Sequence, residues 1–181
     1  MKKFQPLPMD KYQVQITDVN LVQQANQFKG GEMEDRLNFE FTVLDDKTME
    51  EVNDEGEKEI VPIRGRRLWK RIAPSNSSAG KKSKASWFYK LLCAVEKKEL
   101  TEEELVELAP VSLVGQQLLV MVEIAGEYNN ILGFQPAEKE LKEVPNADDR
   151  AAMEQEVVDP EEVKVETEDK EEKVEKPALP F

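Results

Sequence analysis

The stretch Leu37-Asn38-Phe39-Glu40-Phe41-Thr42-Val43 sets the fold class. A strand sends successive side chains to opposite faces, so Leu37, Phe39, Phe41 and Val43 meet a core while Asn38, Glu40 and Thr42 point away from it. The same period appears upstream, where Tyr12, Val14 and Ile16 alternate with Gln13, Gln15 and Thr17 and predict a half-buried first strand over residues 11–20. Residues 26–35, with Lys29-Gly30-Gly31, read as a loop joining the two.

Downstream, residues 45–59 are polar and acid-rich, and Asn53-Asp54-Glu55-Gly56 suits a long solvated turn. Their carboxylates do not fall on the Asp-x-Asp-x-Asp-Gly frame with a closing Glu that calcium needs. A third strand is expected over residues 60–72. With Leu68 and Ile72 toward the core, Arg67, Trp69 and Arg71 share the opposite face, one indole between two guanidinium groups. Lys70 then points inward, which a bulge or a snorkelling stem accommodates.

Residues 74–84 have the composition of a flexible basic loop. Gly80-Lys81-Lys82-Ser83 is not a phosphate loop, because Ser75 stands where the first glycine belongs and Lys82 where a Mg-binding hydroxyl is required; this speaks against nucleotide hydrolysis. Phe88, Leu91, Leu92 and Val95 then form an apolar stripe at helical spacing, predicting a helix over residues 84–97 that also holds Cys93. Thr101 and Glu104 form a capping box for a second short helix ending near Leu108, before Pro110. Leu118, Val120, Val122 and Ile124 mark a fourth strand, Ala125-Gly126-Glu127 a tight hairpin, and residues 128–135 a fifth strand.

Three strands, a helix and two strands are the arrangement of a mainly β, five-stranded OB-fold barrel with a helix between strands 3 and 4, whose binding face includes strands 2 and 3. That domain is expected over residues 1–136, followed by a disordered acidic tail over residues 137–181. The tail holds sixteen acids against seven bases and so carries -9 of the chain's net charge of -13. Residues 60–95 are its opposite: nine Lys and Arg, no Asp or Glu, and Trp69, Trp87, Phe88 and Tyr89 among them. Cations attract phosphates, and flat rings stack on unpaired bases.

The chain has one cysteine, Cys93, and no histidine, which excludes disulfides within the chain, Cys/His zinc sites and catalysis built on a Cys-His or Ser-His pair. No apolar run approaches the ~18 residues of a membrane span and no signal-peptide pattern follows Met1, so the expectation is a soluble cytoplasmic protein.

The chain resembles single-stranded DNA-binding proteins of the bacteriophage OB-fold type. The resemblance rests on the acidic tract ending Leu179-Pro180-Phe181, on Gly65-Arg66-Arg67-Leu68-Trp69, on Trp87-Phe88-Tyr89-Lys90-Leu91-Leu92 and on Tyr128-Asn129-Asn130-Ile131. It implies that Leu179, Pro180 and Phe181 dock on replication, recombination or repair proteins. Together with the residue pattern it predicts a non-enzymatic, cofactor-free protein that binds and protects single-stranded DNA with little sequence preference. The expected nucleic-acid-binding residues are Arg64, Arg66, Arg67, Trp69, Lys70, Arg71, Lys81, Lys82, Lys84 and Trp87. Two other readings use the same residues differently: an OB protein for RNA or duplex, and an acidic interaction or DNA-mimic protein that binds no nucleic acid.

Overall fold

A computed structural model describes residues 5–74, 86–101, 103–104 and 109–154. Seven strands and one helix organise them: β1 (Asp10–Asn26), β2 (Glu32–Val43), β3 (Thr48–Val52), β4 (Lys58–Pro62), β5 (Arg67–Ile72), α1 (Trp87–Glu96), β6 (Gln117–Ala125) and β7 (Tyr128–Pro136). Five of the strands form one antiparallel sheet in the order β5-β2-β1-β6-β7, and β3 and β4 form a separate two-stranded sheet.

The apolar positions of the β2 alternation lie in the core, while Glu40 and Thr42 on the other face are buried as well. Phe39, Phe41 and Val43 are fully buried, joined from β1 by Tyr12, Val14 and Ile16 and from β6 by Leu118, Val120 and Val122. Phe41 stacks on Phe39 with ring centroids 6.0 Å apart and meets Phe134 of β7 at 5.8 Å. Helix α1 lays Phe88, Leu91, Leu92, Ala94 and Val95 onto this core. It starts at Ser86, whose hydroxyl accepts the amide of Tyr89, and stops at Lys97, which takes a left-handed φ of 60°. The Thr101/Glu104 box forms, with Thr101 N donating to Glu104 Oε2 at 2.9 Å and Glu104 N to Thr101 Oγ1 at 3.4 Å.

Three sequence expectations need correction. Residues 26–35 are not a loop: β1 and β2 pair without a break from Leu21↔Leu37 out to Asn26↔Glu32, and only Gln27 to Gly31 turn the chain. The resulting ribbon ends in a fully exposed Phe28. Residues 45–59 are not one long turn, because β3 pairs with β4 from Thr48↔Pro62 to Val52↔Lys58. The Asn53 side chain closes that hairpin by accepting the amides of Glu55 and Glu57. The expected third strand is therefore two: Ile60 belongs to the small sheet, and Gly65, at φ 87°, turns the chain into β5.

Of the barrel expectation the structure shows a five-stranded antiparallel sheet and no closed barrel: among the described residues no ladder joins β5 to β7. The Lys70 side chain spans these edges, its Nζ donating to Ile131 O at 2.8 Å.

The packed body also continues past Pro136. It forms one compact unit, Met1–Val144. Residues 137–144 cross the face of β1 and β6 opposite the aromatic core, held by side-chain amides that imitate a strand partner. Gln15 donates to Val144 O and accepts from Val144 N, both at 2.9 Å. Gln117 donates to Leu141 O at 2.7 Å and accepts from Leu141 N at 2.9 Å, while Gln13 donates to Lys139 O at 2.6 Å. Gln13 and Gln15 are consequently buried, so this part of β1 is covered on both faces rather than one. Asn129 of β7 does the same for the N-terminal segment, accepting from Leu7 N and donating to Leu7 O. In the second unit, Pro145–Phe181, the described residues include a helical segment at 147–154.

Candidate nucleic-acid interface

Strand β5 fixes the candidate site. Leu68 and Ile72 are buried, and Arg67, Trp69 and Arg71 are exposed on the opposite face, as the alternation requires. Trp69 keeps 51% of its surface in solvent, an unusual exposure for an indole. The Arg67 guanidinium carbon lies 5.7 Å from its ring centroid, within cation–π range.

Cross-strand register places three rows on this outer face. Arg67 stands opposite Thr42 and Thr42 opposite Gln15; Trp69 opposite Glu40 and Glu40 opposite Asp18; Arg71 opposite Asn38 and Asn38 opposite Asn20. Glu40 is buried in the middle row, although it faces away from the aromatic core. Its carboxylate accepts the Thr17 hydroxyl at 2.7 Å and lies 3.6 Å from Arg67 Nη1. The Thr17 hydroxyl is also 2.8 Å from that of Thr42. Thr17 reaches both because the β1/β2 register shifts between Ile16 and Asp18, a bulge that re-aims its side chain.

The other expected residues divide. Lys70 points to the inner side, half-buried, with Nζ on Ile131 O and 4.1 Å from the Trp87 ring centroid. Burial holds its ammonium below the ordinary lysine range. Trp87 sits at the first turn of α1, edge-on to Phe134 at 5.8 Å, with Lys90 Nζ 5.2 Å from its centroid. Trp69 and Trp87 therefore belong to two separate cation–aromatic groups, one on the outer strand face and one beside the β5/β7 edges.

Arg64 and Arg66 are engaged inside the body. Arg64 donates to Leu44 O and, at 2.7 Å, to Lys142 O; Arg66 donates to Gln5 O at 3.0 Å and pairs with Glu51. Lys81, Lys82 and Lys84, and the tail residues Leu179, Pro180 and Phe181, lie outside the described residues.

Sequence reasoning missed Glu40, Thr17 and Thr42 as parts of this site. The alternation of β2 already put Glu40 and Thr42 on the outer face, but which β5 residues they oppose depends on a register that one strand alone does not disclose. No family model, no curated protein and no solved structure matches the chain.

Proposed function

We propose that this protein binds single-stranded DNA on the outer face of β5, without catalysing a reaction. The observation that carries the reading is the exposed row of Arg67, Trp69 and Arg71 within an acid-free, cation-rich stretch of a strongly acidic chain. An exposed indole offers a stacking surface worth about 1–3 kcal/mol per base, and cations beside it draw in the phosphates. Stacking accepts every base, so sequence preference is small.

The sheet order supports the OB-fold reading. Strand β1 lies centrally, pairing with β2 on one side and β6 on the other, and the Lys70 side chain of one outer strand reaches the main chain of the other. On this reading the chain is of the bacteriophage single-stranded DNA-binding type. It acts in replication, recombination or repair in the host cytoplasm, and its acidic tail recruits partner proteins through Leu179, Pro180 and Phe181 while competing with DNA for the basic face.

The test uses tryptophan emission. In a Trp87→Phe protein only Trp69 reports, and titration with oligo-dT should quench it, less so as salt rises. Trp69→Ala should weaken binding by roughly 5- to 150-fold, the equivalent of one stacked base. Absence of binding at low salt overturns the proposal and favours the DNA-mimic reading, whereas equal affinity for RNA or duplex of the same length overturns the DNA-specific part of it.

A further inference from the structure

A buried carboxylate on a face proposed to receive a polyanion requires a reason. Glu40 is 7% exposed, and burying a charge is costly unless it is paired and hydrogen-bonded. Its oxygens have such partners: Thr17 Oγ1 at 2.7 Å on Oε1 and Arg67 Nη1 at 3.6 Å from Oε2. The hydroxyls are themselves ordered. If Thr17 gives its single proton to Glu40, it can take one from Thr42, 2.8 Å away, so the row runs Thr42, Thr17, Glu40, Arg67 and ends at the Trp69 ring, 5.7 Å from the guanidinium.

From this geometry we infer that Glu40 is a positioning residue: it withholds Arg67 from phosphate and holds it against Trp69, so that Arg67 works as part of the stacking platform. This inference rests on the single-stranded DNA reading above. A guanidinium paired with a carboxylate releases fewer counterions when DNA arrives, because part of its charge is already offset. A planar guanidinium fixed beside an indole instead stiffens the ring and occupies part of its surface. Arg71, which shares the face but stands opposite Asn38 rather than an acid, keeps the ordinary role of a phosphate contact.

The experiment compares the salt dependence of oligo-dT binding (~16 nucleotides, the upper site size of one OB domain) for full-length Glu40→Gln, Arg67→Ala, the double variant and Arg71→Ala, all in Trp87→Phe. Each lost phosphate contact on a single strand reduces the slope of log K against log[salt] by about 0.7. Arg71→Ala should show that loss, and Arg67→Ala less than half of it. Glu40→Gln frees Arg67 and should steepen the slope by up to about 0.7, a gain that vanishes in the double variant. A full loss of slope in Arg67→Ala with no change in Glu40→Gln overturns the inference while leaving DNA binding intact.

A readout without DNA tests the positioning alone. Neutral acrylamide should reach Trp69 more readily in Glu40→Gln and in Arg67→Ala, and no further in the double variant. Unchanged acrylamide quenching in Glu40→Gln overturns the inference even if the protein proves not to bind DNA. Glutamine can still accept the Thr17 hydroxyl, and Arg67 is an exposed side chain, so thermal melting should show each variant folded.

Discussion

Gln15→Leu tests whether side-chain amides hold residues 137–144 onto the sheet. Leucine keeps most of the volume and removes both hydrogen bonds to Val144, each 2.9 Å in the native protein. One hydrogen bond contributes a net ~0.5–1.5 kcal/mol, which puts the pair at about 1–3 kcal/mol. Gln15 is only 1% exposed, so Val144 N–H and C=O lose partners in a part-buried place, and an estimate of about 2–3 kcal/mol is appropriate. With a urea m-value of ~2 kcal/mol/M, the unfolding midpoint should fall by roughly 1–1.5 M. Hydrogen exchange localises the effect. The Val144 amide should lose protection in Gln15→Leu while Leu141, which donates to Gln117, keeps it; Gln117→Leu should show the reverse. An unfolding midpoint within error of wild type, with Val144 protection unchanged, would refute the idea that the amides hold this segment.

Truncation after Pro136 should lower the melting temperature of the body by several degrees, because Gln13, Gln15 and Gln117 then lose their main-chain partners. Lys97→Gly should stabilise the protein by about 0.5–1 kcal/mol in urea unfolding, since glycine adopts the φ of 60° at the end of α1 without the Cβ clash. Lys70 carries a depressed pKa through burial, so above that value the unfolded chain binds more protons than the folded one and stability gains from rising pH until the ordinary lysine value of 10.5 is passed. Lys70→Met should lack that gain, and subtracting its pH–stability curve from that of wild type isolates the effect from the tyrosines and other lysines that titrate nearby.

Apolar alternation disclosed the inner part of β1, β2, β5, β6, β7 and the core face of α1, because each lays apolar side chains on the core and hydropathy reports that burial directly. It was silent where structure rests on polar groups. The outer part of the β1/β2 ribbon carries Gln23, Gln24, Glu34 and Asp35, and is held by the backbone ladder and by pairs such as Lys29–Glu34 at 2.8 Å. Nothing in that composition distinguishes it from a loop. Gln13 and Gln15 read as solvent-facing because glutamine is usually exposed. What covers them is residues 137–144, a charged segment more than a hundred residues away that offers its backbone rather than its side chains. Strand β5 was legible in its exposure pattern, yet its partners on β2, and with them the place of Glu40, depended on register.

The basic stretch that suggested nucleic-acid binding also shows why a run of like charges is not one site. Five cations fall between Arg64 and Arg71. Arg64 and Arg66 spend their guanidinium groups on main-chain carbonyls and Glu51, fastening residues 137–144 and the N-terminal segment to the body. Lys70 turns inward to Ile131 O and the Trp87 ring, and Arg67 lies beside Glu40 and Trp69. Among the described cations of this stretch, that leaves Arg71 to meet a phosphate. Counting all five as phosphate contacts would give a salt slope near 3.5, whereas this part of the face alone should contribute about 0.7 to 1. A markedly steeper slope in the whole protein would therefore have to come from cations elsewhere, and Lys81, Lys82 and Lys84 are the first to substitute.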